Sequence, residues 1–446
     1  RIALPFQTVE TVNESAADRD RMQDLFASGQ STDWRNRLIW GDKKYVLSSL
    51  VNEFAGKVDL IYIDPPFATG GDFSFSADVP VDPDDEEGSE FGITFVKQPS
   101  VIEQKAYRDT WGKGLDGYVK WFYETVLLLR DLLSERGSIY VHLDYHVAHY
   151  AKIVLDEVLG SERFTSEIVW KRTSAHSSAD RHGPIHDTLF YYSRGDSRVW
   201  NTLHQPFERE YLEMFYEQVD PNGRRWKRDD LTGSGVRRGA TGDPWRGINV
   251  TAKGRHWRVP PEELDALDAA GKIHWPARDG GMPRLKLYAD EQPGLPLQDI
   301  WVDIAPLHNL SAERVNYPTQ KPEQLIERVV KASSNAGDLV LDCFSGSGTT
   351  AAVAEKLGRR WIACDLGRFA IHTARKRLLG IPGVKPFVVQ NLGKYERQAW
   401  QSAEFGESAE AATQRYRQFV LELYHAQPVT GYVWLHGNKS GRMVHI

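Results

Sequence analysis

Apolar residues are distributed along the chain in two alternating patterns. Short runs rich in β-branched and aromatic residues predict buried strands at 58–63, 138–143, 168–170, 188–192, 339–341, 361–364 and 387–389. Apolar residues at helical spacing predict helices at 115–135, 147–159, 322–332 and 349–357, and a last helix that ends at Leu379. Strands that alternate with helices build a parallel sheet with helices on both faces. The pattern therefore predicts an α/β fold with a doubly wound, mostly parallel sheet.

The periodic pattern is interrupted once, by a stretch that is irregular and rich in Gly, Pro, Arg and Trp. We expect a polar, partly helical lead-in, a first periodic segment, an inserted region, a second periodic segment and an appendage, at 1–37, 38–199, 200–300, 301–395 and 396–446. The chain begins at Arg1 and not at Met, so we expect it to be part of something longer, with a truncated appendage. Residues 72–90 hold eight acids and no base, which predicts a solvated loop.

Composition narrows the class of protein only a little. No apolar run approaches the roughly 20 residues that a membrane span needs, so we expect no membrane partner. The two cysteines, Cys343 and Cys364, stand in apolar segments and predict buried free thiols in a reducing cytoplasm. The net charge of -6 does not suggest nucleic acid. Residues 221–258, however, hold ten basic residues and three acids, which predicts a basic surface in the insert.

A glycine-rich turn follows the strand predicted at 339–341. Gly346 and Gly348 let the backbone turn tightly and approach a ligand without a Cβ clash, and the helix after them points free N–H groups at that ligand. The segment alone is compatible with a methyl donor, a dinucleotide or a plain structural turn. Asp342 favours the first, because its carboxylate suits a cationic ammonium and would repel a pyrophosphate. A P-loop is excluded because no Lys follows Gly348.

A second turn, Asp64-Pro65-Pro66-Phe67, ends the strand predicted at 58–63. The two prolines fix φ and remove two N–H donors, so the turn is stiff and its acceptors stay available. The Asp64 carboxylate and the Pro65 carbonyl can together accept both hydrogens of one NH2 group, and Phe67 offers a flat face for stacking. Accepting both hydrogens frees the lone pair of a delocalised amine for attack on a methyl group. The alternative is an Asp-capped structural turn.

In these residues the chain resembles the amino-methyltransferases of DNA in their circularly permuted β arrangement. It is especially similar to the modification subunits of type III restriction-modification systems. The matching segments are 38–67, 137–144, 186–195 and Tyr317-Pro-Thr-Gln-Lys-Pro running into 342–350. The resemblance implies a Rossmann-like methyltransferase fold, with a catalytic half at 38–199, a target-recognition insert at 200–300 and an S-adenosylmethionine-binding half at 301–395.

The same resemblance implies roles for individual residues. Asp64, Pro65, Pro66 and Phe67 would be catalytic. The donor would be held by Asp42, Thr319, Gln320, Lys321, Asp342, Phe344, Gly346, Gly348, Thr349 and Asp365. Thr319 to Lys321 would take its carboxylate end, Asp365 its ribose and Asp42 its adenine, although Asp42 can also be a turn residue after Gly41. Double-stranded DNA would be bound by Arg224, Arg225, Lys227, Arg228, Arg237 and Arg238, or these form a solvated loop.

Asp64 rather than Ser implies adenine N6 as the target, with cytosine N4 as the alternative. The target base would be flipped out of the duplex. A cytosine-C5 enzyme is rejected, because neither Cys343 nor Cys364 follows Pro. Relatives that modify protein glutamine or structured RNA carry Asn at this position. A binding module without turnover and a nicotinamide enzyme remain as rivals, and a homodimer and a restriction or other defence subunit are expected partners of the family.

Three closely spaced histidines raise the question of a metal site, because imidazole is a common ligand. His142, His146 and His149 cross from a predicted strand into a predicted helix, with no Cys nearby. We therefore predict no metal site, and place His142 in the core or in the pocket.

Overall fold

The computed structural model describes residues 3–12, 34–66, 114–174, 182–278, 281–308, 311–393 and parts of 414–445, and the backbone of strands Phe75–Val79 and Ile93–Lys97. Contacts divide the chain into two compact units. One comprises Arg1–Asn201 with Asp299–Ile446, and the other is Thr202–Gln298. Among the described residues, no helix is long and apolar enough to cross a membrane.

The first unit is built on a ten-stranded sheet. Its strands are β1 Gln7–Val12, β2 Asn36–Trp40, β3 Val58–Ile63, β4 Leu133–Leu143, β5 Phe164–Lys171, β6 His186–Ser193, β7 Ile300–Trp301, β8 Leu339–Asp342, β9 Arg360–Asp365 and β10 Phe387–Asn391. The strand order is β1-β10-β2-β9-β8-β3-β4-β6-β5-β7. The six strands from β10 to β4 are parallel, and antiparallel pairs occur only at β1 and around β6. This confirms the predicted fold class.

Helices cover both faces of this sheet. The α-helices among the described residues of the first unit are α1 Lys43–Phe54, α2 Gly114–Leu132, α3 Ala148–Leu159, α4 Glu323–Ser333, α5 Thr349–Lys356 and α6 Arg368–Leu379. The first three pack in one apolar cluster and the last three in another, on opposite sides of the strands. Strands such as β3 are buried on both faces, which explains why they appear in the sequence as continuous apolar runs.

Two local expectations were wrong, and one is untested. The lead-in was expected to be partly helical; its residues Gln7–Val12 form an edge strand that pairs with β10, and residues 13–33 lie outside the described residues. The helix predicted to reach residue 135 ends at Leu132, because Leu133 already pairs with Val58 in β3 and starts β4. The acidic stretch 72–90 is not all loop, since Phe75–Val79 pairs with Ile93–Lys97. The appendage expected at 396–446 lies mostly outside the described residues.

The second unit, Thr202–Gln298, has small antiparallel sheets of its own. Its largest sheet joins Gln218–Val219, Arg225–Asp230, Arg284–Tyr288 and Ile273–His274, and its helices are Arg209–Phe215 and Pro261–Ala269. A separate apolar cluster, which includes Trp245, Val250, Trp257 and Leu264, forms its interior. This unit therefore has a hydrophobic core distinct from that of the ten-stranded sheet.

Candidate active site

Strands β3 and β8 are neighbours, although they are almost 280 residues apart in the chain. Leu60 pairs with Val340, and Ile61 with Leu341, in parallel register. Because parallel strands end at the same edge of a sheet, Asp64 and Asp342 come to that edge together. Pro65 is buried and Pro66 is half-buried behind Asp64, while Phe67 lies outside the described residues.

Asp64 is held by a cation from the far half of the chain. The Lys321 ammonium donates to Asp64 Oδ2, and the side chains are only 12% and 17% exposed. Lys321 was expected to hold the carboxylate of the donor. Its ammonium lies instead on the carboxylate predicted to be catalytic, which ties the segment before α4 to the end of β3.

The Tyr-Pro-Thr-Gln-Lys-Pro segment is folded on itself by Gln320. The Gln320 amide accepts from the Val315 N–H at 2.9 Å and donates to the Glu313 carbonyl at 2.7 Å. Thr319 is exposed, within a turn closed by the Gln320 N–H and the Tyr317 carbonyl. The Gln320 side chain thus shapes the loop that presents Lys321.

The glycine turn requires glycine at both predicted positions. Gly346 and Gly348 have φ of 48° and 75°, in the left-handed region that disfavours side chains. A Cβ on Gly346 would lie 3.2 Å from the Tyr317 ring, and one on Gly348 would lie 2.6 Å from Ala374 Cβ. The backbone is therefore packed between the loop before α4 and helix α6. Thr349, which begins α5, is buried and its hydroxyl donates to the Lys321 carbonyl at 3.4 Å.

Asp342 is a buried carboxyl at the end of β8. It is 3% exposed, and it accepts from the Phe344 N–H at 2.9 Å and from the Thr350 hydroxyl at 2.6 Å. Burial raises the pKa of Asp342 to about 7; its two hydrogen bonds oppose the shift, and the charges of Asp64 and Asp365 add to it. The negative charges of Asp64 and Asp365 therefore disfavour ionisation of Asp342, and a cationic ligand at this site would offset that repulsion.

Asp365 ends β9 and closes the other side of the turn. Its carboxylate accepts from the Gly346 N–H and the Gly367 N–H, both at 2.8 Å. Asp42 stands at the end of β2, where its carboxylate caps α1 by accepting from the Lys44 N–H at 2.8 Å. Asp42 thus has a structural role as the N-cap of α1, and its contact with the adenine of the donor stays a prediction. Phe344 is half-buried, with its ring 5.6 Å from that of Trp121.

In the second unit, the basic residues differ in whether they are paired. Arg224 donates to Asp290 at 2.8 Å and to Glu291 at 2.9 Å. Arg225 donates to the Tyr216 carbonyl, and the Lys227 ammonium lies over the Tyr216 ring. In the described part of the chain, no carboxylate lies within ion-pair distance of the exposed side chains of Arg228, Arg237 and Arg238.

Similarity to known proteins extends over most of this chain. A model of the DNA methylase family, which covers N6 and N4 methyltransferases, matches residues 58–376. The match runs from the strand that ends at Asp64 to the helix that packs on Gly348. The chain belongs to this family. The cofactor of the family, and so of this methylase, is S-adenosylmethionine.

Curated relatives agree with the family. The methylase is 33% identical over 371 residues to the type II methyltransferase M.EcaI of Enterobacter cloacae, covering 83% of this chain and 75% of that one. It is 28% identical over 354 residues to the StyLTI Mod subunit, a type III restriction-modification enzyme subunit of Salmonella typhimurium, covering 74% and 52%. It is 45% identical over 80 residues to the DNA adenine methyltransferase YhdJ of Escherichia coli, covering 18% and 27%. The chain thus spans about half the length of the Mod subunit that it matches.

The residues at the sheet edge fit S-adenosylmethionine. The donor carries a sulfonium and an ammonium, and three carboxylates, Asp64, Asp342 and Asp365, act on one another across this edge. The buried Ser345 hydroxyl makes no hydrogen bond among the described residues, so a polar group remains for a ligand beside the turn. When bound, the donor supplies an electrophilic methyl group on positively charged sulfur.

The sequence analysis predicted no role for Arg377, whose side chain contacts the residue that follows the glycine turn. Its guanidinium is 6% exposed and donates to the Thr349 hydroxyl at 2.9 Å and to Glu323 at 2.8 Å. Glu323 begins α4, so Arg377 joins the start of that helix to the turn. The sequence could have indicated that Arg377 is buried. Ala370, Ala374 and Arg377 follow one another at helical spacing, so they lie on the same, buried face of α6.

Proposed function

We propose that this methylase transfers a methyl group from S-adenosylmethionine to the N6 amine of adenine in double-stranded DNA. The observation that carries the proposal is the adjacency of Asp64 and Asp342 at the ends of neighbouring parallel strands. On this proposal, Asp64 would accept the base amine beside Asp342, a carboxyl suited to a cationic donor. Asp64 in the first motif position, and the name of the adenine methyltransferase YhdJ, favour adenine over cytosine N4.

Asp64 would act by accepting hydrogen bonds from the flipped base. An ionised carboxylate accepts at both oxygens, so Lys321 at Oδ2 and the base amine at Oδ1 can be held together. The Pro65 carbonyl would accept the second amine hydrogen. As the bond from nitrogen to the methyl carbon forms and the bond from that carbon to sulfur breaks, one amine proton passes to Asp64 and then to solvent.

The test is Asp64→Ala, with Asp64→Asn as the variant that keeps the shape. Methyl transfer from radiolabelled donor to mixed-sequence DNA should fall to background in Asp64→Ala, because the base amine loses its acceptor. Donor affinity, measured by calorimetry, should stay within a few-fold of the parent. Retained transfer in Asp64→Ala would rule out this mechanism.

We also propose that Arg228, Arg237 and Arg238 contact DNA, while Arg224 is structural. The first three are exposed and without a carboxylate partner among the described residues, whereas Arg224 is held by two acids. A cation that neutralises a phosphate releases counterions, so each contact contributes roughly 0.9 to the slope of log K against log salt. The double variant Arg237→Ala with Arg238→Ala should flatten this slope, and Arg224→Ala should not. Equal slopes in the parent, the double variant and Arg224→Ala would contradict the assignment.

The context of the reaction belongs to the same proposal. The Mod subunit relative works within a restriction-modification enzyme, so a restriction or other defence subunit is the partner we propose, and a homodimer is the assembly. We place the protein in the cytoplasm, where chromosomal or invading DNA is accessible. Purification from its host under low salt, followed by mass determination of the assembly, tests both partners.

A further inference from the structure

A chain of buried polar side chains crosses the sheet next to the catalytic strand. The Tyr62 hydroxyl lies 2.8 Å from His142 Nδ1, and His142 Nε2 lies 3.0 Å from Asp187 Oδ2. Arg172 Nε donates to Asp187 Oδ1 at 2.8 Å. Tyr62, His142 and Asp187 are each at most 2% exposed. Four residues from four segments are thus joined in an almost fully buried line.

The direction of each hydrogen bond in this line follows from its chemistry. Burial raises the pKa of Asp187, but the hydrogen bond from His142 and the nearby charges of Lys321 and Arg172 outweigh it and lower that pKa, so the carboxylate is ionised and only accepts. His142 Nε2 must then donate, which leaves Nδ1 to accept from Tyr62. Burial, with the nearby charges of Asp64 and Asp342, raises the pKa of Tyr62 well above its usual range, so its hydroxyl keeps its proton. Each hydrogen bond of the line thus joins one donor to one acceptor.

One end of the line is attached to the catalytic turn. Tyr62 lies in β3 two residues before Asp64, and the charge of Asp64 acts on the Tyr62 hydroxyl. Lys321, which bonds Asp64, also contributes to the field at Asp187. The tyrosine hydroxyl therefore anchors the end of β3 close to the catalytic pair.

The other end of the line is the partly exposed side chain of Arg172. Arg172 follows β5 directly, its side chain is 44% exposed, and its N–H donates to the Ile185 carbonyl just before β6. The guanidinium thus spans from the rim of the sheet to a carboxylate that is 0% exposed. A displacement of Arg172 would be felt at Asp187, and through His142 at Tyr62.

We propose that Tyr62, His142 and Asp187 are positioning residues that hold the Asp64 turn in its reactive geometry, with Arg172 anchoring the far end of the line. The inference rests on the proposed role of Asp64. It assigns no proton transfer to the line, because each hydrogen bond in it is already satisfied. Its consequence is that breaking the line slows methyl transfer without removing any group that touches donor or base.

Tyr62→Phe is the sharpest test, because it removes one hydroxyl and leaves His142 Nδ1 without its donor. Tyr140→Phe is the matched control: Tyr140 is also buried, lies on the neighbouring strand β4, and bonds Ser333 at 2.7 Å and not the histidine. Both variants should lower the melting temperature by similar amounts. Only Tyr62→Phe should lower the single-turnover transfer rate, by about ten-fold or more, with donor affinity within about two-fold of the parent.

The proposal is overturned if Tyr62→Phe transfers methyl groups at the parental rate, or if Tyr140→Phe loses as much rate as Tyr62→Phe. A parent protein with no transfer to DNA would contradict the proposed function instead. Crystal structures of the two variants keep the tests separate. The Asp64 carboxylate should move away from Lys321 in Tyr62→Phe and stay in place in Tyr140→Phe, and an unmoved Asp64 in Tyr62→Phe would refute the positioning role whatever the activity.

Discussion

Replacing Asp342 by asparagine should make the protein more stable at alkaline pH while impairing its donor site. The carbonyl of the introduced asparagine could still accept from the Phe344 N–H, and its amide could donate to the Thr350 hydroxyl, so the packing would be preserved. What is removed is a buried charge, because the pKa of Asp342 is raised from 3.8 to about 7, chiefly by burial. The ionised Asp342 carboxylate thus lowers the stability of the folded protein but is needed to bind the donor. Function and stability therefore oppose each other at this residue.

The size of the effect follows from proton linkage. A raised pKa means that the folded protein holds the Asp342 proton more tightly than the unfolded chain does. This contribution to stability is fully present below about pH 4 and is lost as the pH rises through about 7. Between about pH 5 and pH 8 the parent should therefore lose roughly 2.7 kcal/mol relative to Asp342→Asn, since each of the two pH units below 7 corresponds to about 1.4 kcal/mol.

Urea unfolding of both proteins at about pH 5 and about pH 8 measures this difference. The gain in unfolding free energy of the variant over the parent should grow with pH by the amount given above. Calorimetry at about pH 8 should show weaker donor binding by the variant, because the ammonium of the donor loses an ionised partner. Parallel pH profiles for the two proteins, or an unchanged donor affinity, would refute the reasoning.

Two further substitutions test the donor half of the site. Gly348→Ala should lower stability by roughly 2–4 kcal/mol, from a left-handed backbone and a clash with Ala374, whereas Gly358→Ala, with φ of 73° and nothing within 4 Å, should lower it by only about 1 kcal/mol. Similar unfolding free energies for the two variants would contradict the packing. Arg377→Met should weaken donor binding several-fold and lower stability by about 1–3 kcal/mol, because Glu323 and the Thr349 hydroxyl lose a partner. Arg377→Lys should restore part of both in calorimetry and urea unfolding, and full donor affinity in Arg377→Met would exclude the role of Arg377.

The central strands were predictable because both of their faces are buried. Leu60–Ile63 and Leu339–Leu341 are continuous apolar runs within these strands, and Pro and Gly mark the turns that follow the strands. Edge strands were harder, since Gln7–Val12 is mostly polar and pairs on one side only. Burial, and not intrinsic propensity, therefore decided which elements could be found from the sequence.

Pairwise partners could not be predicted in the same way. Lys321 and Asp64 are 257 residues apart, and no periodicity reports which cation meets which carboxylate. A local count of charge likewise treats Arg224 as available, although Asp290 and Glu291, 66 and 67 residues later, neutralise it. Such long-range pairs are set by the folded register of the strands.

The most direct test of the account is the identity of the methylated base. DNA from a host that expresses this methylase, digested to nucleosides and analysed by mass spectrometry, should contain N6-methyladenine above the level of the same host without it. The Asp64→Ala variant should give no such increase. N4-methylcytosine in its place, or an equal yield of N6-methyladenine from Asp64→Ala, would contradict the account.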